Sequence, residues 1–332
     1  MSPRRKSRVV WSLVAIVIGL IFAGAGLVLI DRPDLWLWLI VATVFVLTGA
    51  VGLLLGDTAP HVSWSSIVGA ELIVLYTLTP VVYLLSLSLK GGNADVNQGG
   101  FLPHDPGLDN YETVFKFDLF QSALVNSFGI SVISTTISVV LATFAAYAIA
   151  RLRFRGKKFV LSMALAIAMF PVVALVGPLF DMWRAIGIYD TWLGLIIPYL
   201  SFTLPMSIWV LSAFFREIPW EMEQAAQVDG ASSWQAFRKV IVPLAAPGVF
   251  TAAIITFFFA WNDFVFGISL TSTTRAIPVP ASLAFFTGAS QFDQPIAAIA
   301  AASVVVTVPI FIIVLLFQRK IVSGLTSGAV KG

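Results

Sequence analysis

The sequence predicts an all-α integral membrane protein of about eight transmembrane helices. Of its 332 residues, 58% are hydrophobic and only 11% are charged, against roughly 25% charged in soluble domains. The apolar residues gather in runs of about 20, the length that crosses a hydrocarbon core of roughly 30 Å. These runs hold most of the 27 Phe and 10 Trp and are continuous, unlike the short alternating segments of an outer-membrane barrel. The absence of Cys excludes disulfides and thiol chemistry, and His61 and His104 alone cannot build a structural zinc cluster. A formal charge of +3 is too small to argue for nucleic acid.

In chain order, the predicted spans lie near residues 9–30, 35–56, 66–89, 123–150, 159–180, 191–215, 246–268 and 297–317. A signal peptide is the competing reading of the first, because a basic start precedes an apolar run containing Ala23-Gly24-Ala25. That run outlasts a signal core of about 7–15 residues. Threading all spans with both termini in the cytoplasm gathers Arg4, Arg5, Lys6 and Arg8 inside, with Arg151, Arg153, Arg155, Lys157 and Lys158. Arg216, Arg238, Lys239, Arg319, Lys320 and Lys331 join them, making 15 of the 20 basic residues. This is the positive-inside signature. The loop between spans three and four then lies outside and is rich in turn formers, from Lys90-Gly91-Gly92-Asn93 to Pro103-His104-Asp105-Pro106. Its later part, Asn110 to Phe115, forms a short amphipathic helix capped by Asp109 or Asn110. A docking surface and a plain connector are both open readings of that loop.

One polar island interrupts the apolar pattern: Glu223-Gln224-Ala225-Ala226-Gln227-Val228-Asp229-Gly230, followed after nine residues by Val240-Ile241-Val242-Pro243. It must lie outside the hydrocarbon. Pro219 suits a first-turn position, Glu221 and Glu223 suit the positive end of a helix dipole, and Gly230 stops the helix. A second short helix runs from Ser232 to Val240 with Ser232 or Ser233 as its cap, carries Arg238 and Lys239 in its last turn, and ends before Pro243. On the residues alone, a partner-docking knuckle and an ordinary connector remain alternatives.

The island resembles the cytoplasmic signature loop of binding-protein-dependent ABC importer permeases: Glu-Ala-Ala, three residues, Gly, nine residues, then Ile-x-Leu-Pro. Ala225, Ala226, Gly230 and Pro243 match at that spacing, with Val240 and Val242 for the Ile and Leu. Gln224 stands where the family has Glu, with Glu223 just before it, which shifts the weight from charge to shape. The resemblance spans most of residues 66–332. It includes Asn110-Tyr111, Trp261-Asn262-Asp263-Phe264 and Ala213-Phe214-Phe215-Arg216-Glu217-Ile218-Pro219. Within the family the chain is similar to the MalG-like carbohydrate branch, and to trehalose-importer permeases of actinobacteria through Asp190-Thr191-Trp192, Ala236 to Val240 and the tail from Gly324.

The resemblance implies a six-helix, MetI-like permease core over 66–332 with a coupling loop at 216–245, preceded by an N-terminal extension, 1–65, carrying two further helices. It implies a non-catalytic subunit paired with a second permease, an ATPase dimer on the cytoplasmic side and a sugar-binding protein or lipoprotein outside. Glu223, Gln224, Ala225, Ala226, Asp229, Gly230 and Pro243 become the ATPase-coupling residues, and ATP and Mg²⁺ belong to the partner ATPase. The chain has no Gly-x-x-x-x-Gly-Lys-Ser/Thr loop to cradle phosphates, and no cofactor is expected in it.

Inside the spans, Trp261 and Asn262 are candidates for a sugar pathway, with interhelix packing as the alternative, and Asp263 is read as an interface residue. Tyr199 and Phe202, between Pro198 and Pro205, are further pathway candidates beside a helix that prolines can kink. Ser127, Ser131, Ser134 and Ser138 align on one face, a pattern typical of close helix packing. Glu71 is an acidic group near the end of span three. The rival functions are a permease for another small oligosaccharide or polyol, an ion-coupled secondary transporter, a passive channel and a membrane-embedded enzyme. Paired broken repeats with midplane charges and clustered catalytic groups are not evident.

Overall fold

The structure, a computed structural model, describes residues 12–21, 23, 42–50, 64–91, 93–97, 100–286 and 295–329. All regular structure among them is helical. Three helices, Asp118–Arg151, Trp192–Glu217 and Ile296–Phe317, are long and apolar enough to cross a membrane, and the number rises to five if each of two sharply bent helix pairs is one span. The expected first and second spans are described only over 12–21 and 42–50. The basic start, His61, the side chain of Glu71, Asp293 and the last three residues lie outside the described residues.

The chain forms two compact units, residues 1–114 with 287–304, and residues 115–286 with 305–332. In the first, α1 (Ser12–Ile21) and α2 (residues 42–50) pack backbone to backbone. A Cβ on Gly19 would stand 2.8 Å from the Ala42 carbonyl and 2.9 Å from the Val46 nitrogen, so only glycine permits this approach. After α3 (Trp64–Ser88) the chain folds into a loop knit by side chains, with α4 (Asn93–Asn97) inside it. The Asn110 amide donates to the carbonyls of Ser88 (3.0 Å) and Lys90 (2.7 Å), and the Tyr111 and Ser88 hydroxyls meet at 2.7 Å. These contacts satisfy carbonyls that the end of α3 leaves without helical partners. Neither Asp109 nor Asn110 caps the following helix, α5 (Asp109–Lys116). Both lie inside the helix, and the Leu108 carbonyl before them accepts its first backbone bonds, from the Tyr111 and Glu112 N–H groups.

Asp95 closes the loop. Its carboxylate accepts from the backbone N–H groups of Gly91 (3.3 Å) and His104 (3.2 Å) and meets His104 Nδ1 at 2.7 Å. Desolvation pushes the Asp95 carboxyl up, but these hydrogen bonds outweigh it and hold the carboxyl below its ordinary value.

The second unit is built on α6 (Asp118–Arg151) packed along α9 (Trp192–Glu217), with α13 (Ala246–Trp261) against both. Small hydroxyl residues let them approach: the stripe Ser127, Ser131, Ser134 and Ser138 is buried. Ser138 meets Thr203 at 2.6 Å, and Ser207 meets Thr256 at 2.8 Å. Such bonds contribute about 0.6 kcal/mol each in membranes. Both Pro198 and Pro205 lie inside a continuous α9. Pro198 cannot donate to the Gly194 carbonyl, which takes the Trp183 Nε1–H instead at 2.7 Å.

Two expected single spans are broken. Span five divides into α7 (Lys157–Ala168) and α8 (Val172–Ile186), bent by 83°. Pro171 lacks an N–H and its ring disfavours a helical residue before it. Span seven ends as α13 at Trp261, and α14 (Val265–Leu270) follows after Asn262–Phe264. Beyond it come α15 (Val279–Ser282), a short 3₁₀ turn, Leu283–Phe285, and α16 (Ile296–Ala329).

Two predictions follow from this packing. Gly194→Ala places a Cβ 2.5 Å from the Ile188 carbonyl and is expected to cost about 1–3 kcal/mol, read as a lowered unfolding temperature in detergent. Asp95, whose carboxyl is held low, stabilises its loop at neutral pH, and this contribution disappears as pH falls below the ordinary carboxylate value of about 3.9 and through the lowered one. Hydrogen-exchange protection factors in residues 100–107, taken relative to the intrinsic rate at each pH, should therefore be high at pH 7 and fall in acid, and Asp95→Asn should remove most of that pH dependence.

Candidate functional site

Polar chemistry in the second unit gathers at the island and at a cavity beside the break in span seven. In the island, α10 (Trp220–Val228) starts directly after Pro219, which occupies the cap position rather than the first turn. It ends in a Schellman turn: the Gly230 N–H bonds the Gln227 carbonyl (3.0 Å) and the Ala231 N–H bonds that of Ala226 (2.9 Å). Gly230 takes φ +90°, a left-handed value that glycine adopts without strain. The next arm, α11 (Ser233–Ala236), opens with a capping box in which Ser232 Oγ accepts the Gln235 N–H and Gln235 Oε1 accepts the Ser232 N–H. Ser232, not Ser233, is the cap.

This second arm does not stop before Pro243. It widens into a π turn, Phe237–Ile241, and continues as α12 (Val242–Leu244) to Ala245, where a 69° bend leads into α13. The Val242 N–H reaches back to Phe237, and the wider turn moves the preceding carbonyls out of the register in which a proline ring clashes.

The residues read as coupling groups face two ways. Gln224, Ala225, Asp229, Gly230 and Pro243 are exposed and Ala226 is half-buried. Val228 is 87% exposed between them. Glu223 points inward and is buried: Tyr147 Oη donates to its Oε1 at 2.5 Å, and Arg151 Nε stands 3.9 Å from Oε2. Arg151 is buried too, donates through Nη2 to the Ile218 carbonyl at 2.6 Å, and lies over the Trp220 ring at 4.7 Å. The Tyr147 ring packs on Phe237 (4.7 Å), and Trp234 stacks on Phe237 (5.4 Å) and Phe144 (6.2 Å). Both arms of the island are thus tied to the end of α6. Sequence reasoning grouped Arg151 with the topology charges of its loop and passed over Tyr147. Their spacing of four residues, which sets them on one helix face, was the available signal; which acid they meet depends on the fold.

The cavity, of about 640 Å³, is lined by Ala168 and Val172 at the α7–α8 break, Phe202 of α9, and Phe258, Phe259, Asn262, Asp263 and Phe264 around the α13–α14 break. That volume falls within the range of small-molecule sites, about 300–1,000 Å³. Asn262 is exposed there and donates to the Phe258 carbonyl at 2.8 Å. Asp263 lines the cavity. The break turns its carboxylate toward the start of α14, where Oδ2 accepts the Gly267 N–H (3.0 Å) and the Tyr199 hydroxyl (3.0 Å). Tyr199 is otherwise enclosed, whereas Phe202 stacks on Phe266 and lines the cavity. Trp261 is fully buried with its ring stacked on Phe257 at 5.5 Å.

Residues 122–323 match the family of binding-protein-dependent transport system inner membrane components. Over 261 residues the chain is 57% identical to the trehalose transport system permease protein SugB of Mycobacterium tuberculosis (strain CDC 1551 / Oshkosh), covering 79% of this chain and 95% of that protein. It is 35% identical over 268 residues to the trehalose/maltose transport system permease protein MalG of Thermococcus litoralis, covering 80% and 96%. Its fold matches, with a TM-score of 0.65 and 25% identity, a chain of a bacterial ABC transporter involved in the import of the acidic polysaccharide alginate, over 78% of this chain and 99% of that one. With its membrane-spanning helices, the chain belongs to the binding-protein-dependent transport system inner membrane components, as a non-catalytic, multi-pass permease subunit of an ABC importer.

Proposed function

We propose that this chain forms half of the translocation pathway of an ATP-driven importer for trehalose or a related disaccharide, and that α10 couples it to the ATPase. The observation that carries the sugar reading is the cavity, where the rings of Phe202, Phe258, Phe259 and Phe264 stand beside Asn262 and Asp263, in a chain 57% identical to a trehalose permease. Apolar faces of a sugar stack on aromatic rings while its hydroxyls exchange hydrogen bonds with amide and carboxylate groups.

In this reading both termini and the island lie in the cytoplasm, the loop knit by Asp95 lies outside, and residues 1–65 are an addition to a six-helix core over 66–332. A second permease completes the pathway, a binding protein delivers sugar from outside, and a partner ATPase dimer holds ATP and Mg²⁺. The exposed face of Gln224, Ala225 and Val228 seats in a groove of one ATPase subunit. Closure of the dimer moves α10, and the bundle turns from inward- to outward-facing.

The assembled complex in proteoliposomes, offered radiolabelled trehalose, maltose and a polyol, should take up trehalose only with ATP inside the ATPase compartment. ATP-independent uptake, or uptake confined to the polyol, overturns the reading. Asn262→Ala is expected to lower kcat/KM for uptake about 2- to 10-fold, the worth of one hydrogen bond, with assembly intact. Gly230→Leu forces a branched side chain to φ +90° and should uncouple hydrolysis from uptake, whereas Gly230→Asn, which tolerates left-handed backbone better, should retain more transport.

A further inference from the structure

The polar cluster beneath the island is not part of the cavity lining, and its acid belongs to the signature stretch itself. Glu223 is 6% exposed and Arg151 4%, whereas the neighbouring Gln224 and Ala225 are exposed. A carboxylate that is to meet a partner protein needs a route to its surface. Glu223 instead spends its Oε1 on the Tyr147 hydroxyl at 2.5 Å, and turns Oε2 toward Arg151 Nε at 3.9 Å. Arg151 reaches past it to the Ile218 carbonyl at 2.6 Å and lies over Trp220 at 4.7 Å. Ile218 closes α9 and Trp220 opens α10. One guanidinium at the end of α6 therefore touches both sides of the joint between α9 and α10, and the one carboxylate of α10 that faces α6 is hydrogen-bonded by Tyr147 and stands within ion-pair distance, though not hydrogen-bond distance, of Arg151.

Charges buried in this way are costly unless paired, so the cluster resists coming apart. A joint that does not come apart passes displacement on rather than absorbing it. We propose that Tyr147, Arg151 and Glu223 form an internal clasp that carries movement of α10 into α6, so that Glu223 is a positioning residue within this chain and not a contact to the ATPase. The exposed residues of α10 receive the partner, and the buried ones deliver the motion to the helix that packs along α9 and α13. This rests on α10 being the coupling helix.

The test uses the complete complex, with both permeases, the ATPase dimer and the binding protein, in proteoliposomes. Glu223→Gln, Arg151→Gln, Tyr147→Phe and the double variant Glu223→Gln/Arg151→Gln are compared by ATPase co-purification, thermal stability, hydrolysis rate and sugar delivered per ATP. The ATPase should co-purify with every variant at the unmodified stoichiometry. Sugar per ATP should fall about tenfold in the two single charge variants, within the usual span of coupling between sites, and by a smaller factor in Tyr147→Phe.

The double variant leaves no unpaired buried charge. It should regain thermal stability and not regain sugar per ATP. Recovery of both makes the cluster merely structural and overturns the clasp. So does unchanged sugar per ATP in the single charge variants, or loss of the ATPase from Glu223→Gln alone. Ala225→Trp separates the clasp from the role of α10 as coupling helix. If it releases the ATPase while the cluster variants transport normally, only the clasp fails. If it neither releases the ATPase nor slows uptake, the assignment of α10 as coupling helix fails, and the clasp with it.

Discussion

In hydrocarbon every backbone N–H and C=O must find a partner within the protein, and irregular backbone survives only where it is buried or lines a cavity. The second unit is arranged around this constraint. Where Pro198 leaves the Gly194 carbonyl without its helical partner, the Trp183 indole supplies the missing donor and α9 continues unbroken. Where the chain does break, at Met169–Pro171 and at Asn262–Phe264, residues at both breaks line the cavity. Asp263 makes the second break sustainable, since its carboxylate takes N–H groups at the start of α14 that no helical carbonyl can reach. A device that satisfies the backbone thereby also places an amide and a carboxylate among aromatic rings.

At the island the same physics acts on charge. Hydrogen bonds within each arm, the Schellman turn at Gly230 and the capping box at Ser232, make short helices self-sufficient at their ends. Their attachment to the bundle comes from elsewhere: the Tyr147 hydroxyl and Arg151 guanidinium on one side, and the stacked rings of Phe144, Trp234 and Phe237 on the other. Both arms are thereby mounted on the end of α6.

Most of the island's local form was legible in the residues. Gly230 at the end of a helix and Ser232 three before Gln235 are patterns whose physics is complete within a few residues, and the structure carries both. Pro243 misled because a π turn upstream changes which carbonyl a proline ring meets, and nothing in a run such as Phe237-Arg238-Lys239-Val240-Ile241 announces that turn. The inward direction of Glu223 was equally hidden: the acid that suits a helix dipole also fits a buried pair, and the difference lies in what stands opposite. A carboxylate at the end of an apolar run reads as an interface residue, and its partners, the Tyr199 hydroxyl and the Gly267 N–H, come only with the bend after Trp261.

By itself the sequence determined that this chain lives in a bilayer as helices, where its polar island must lie, and which family pattern that island follows, because composition, span length and turn chemistry are local quantities. Tertiary structure decided what those quantities leave open: which helices break, which residues the breaks bring to one cavity, and that Tyr147 and Arg151 share one buried site with Glu223, more than 70 positions further along the chain. Burial and charge pairing are properties of neighbours in space, and α6 and α10 become neighbours only when the bundle closes.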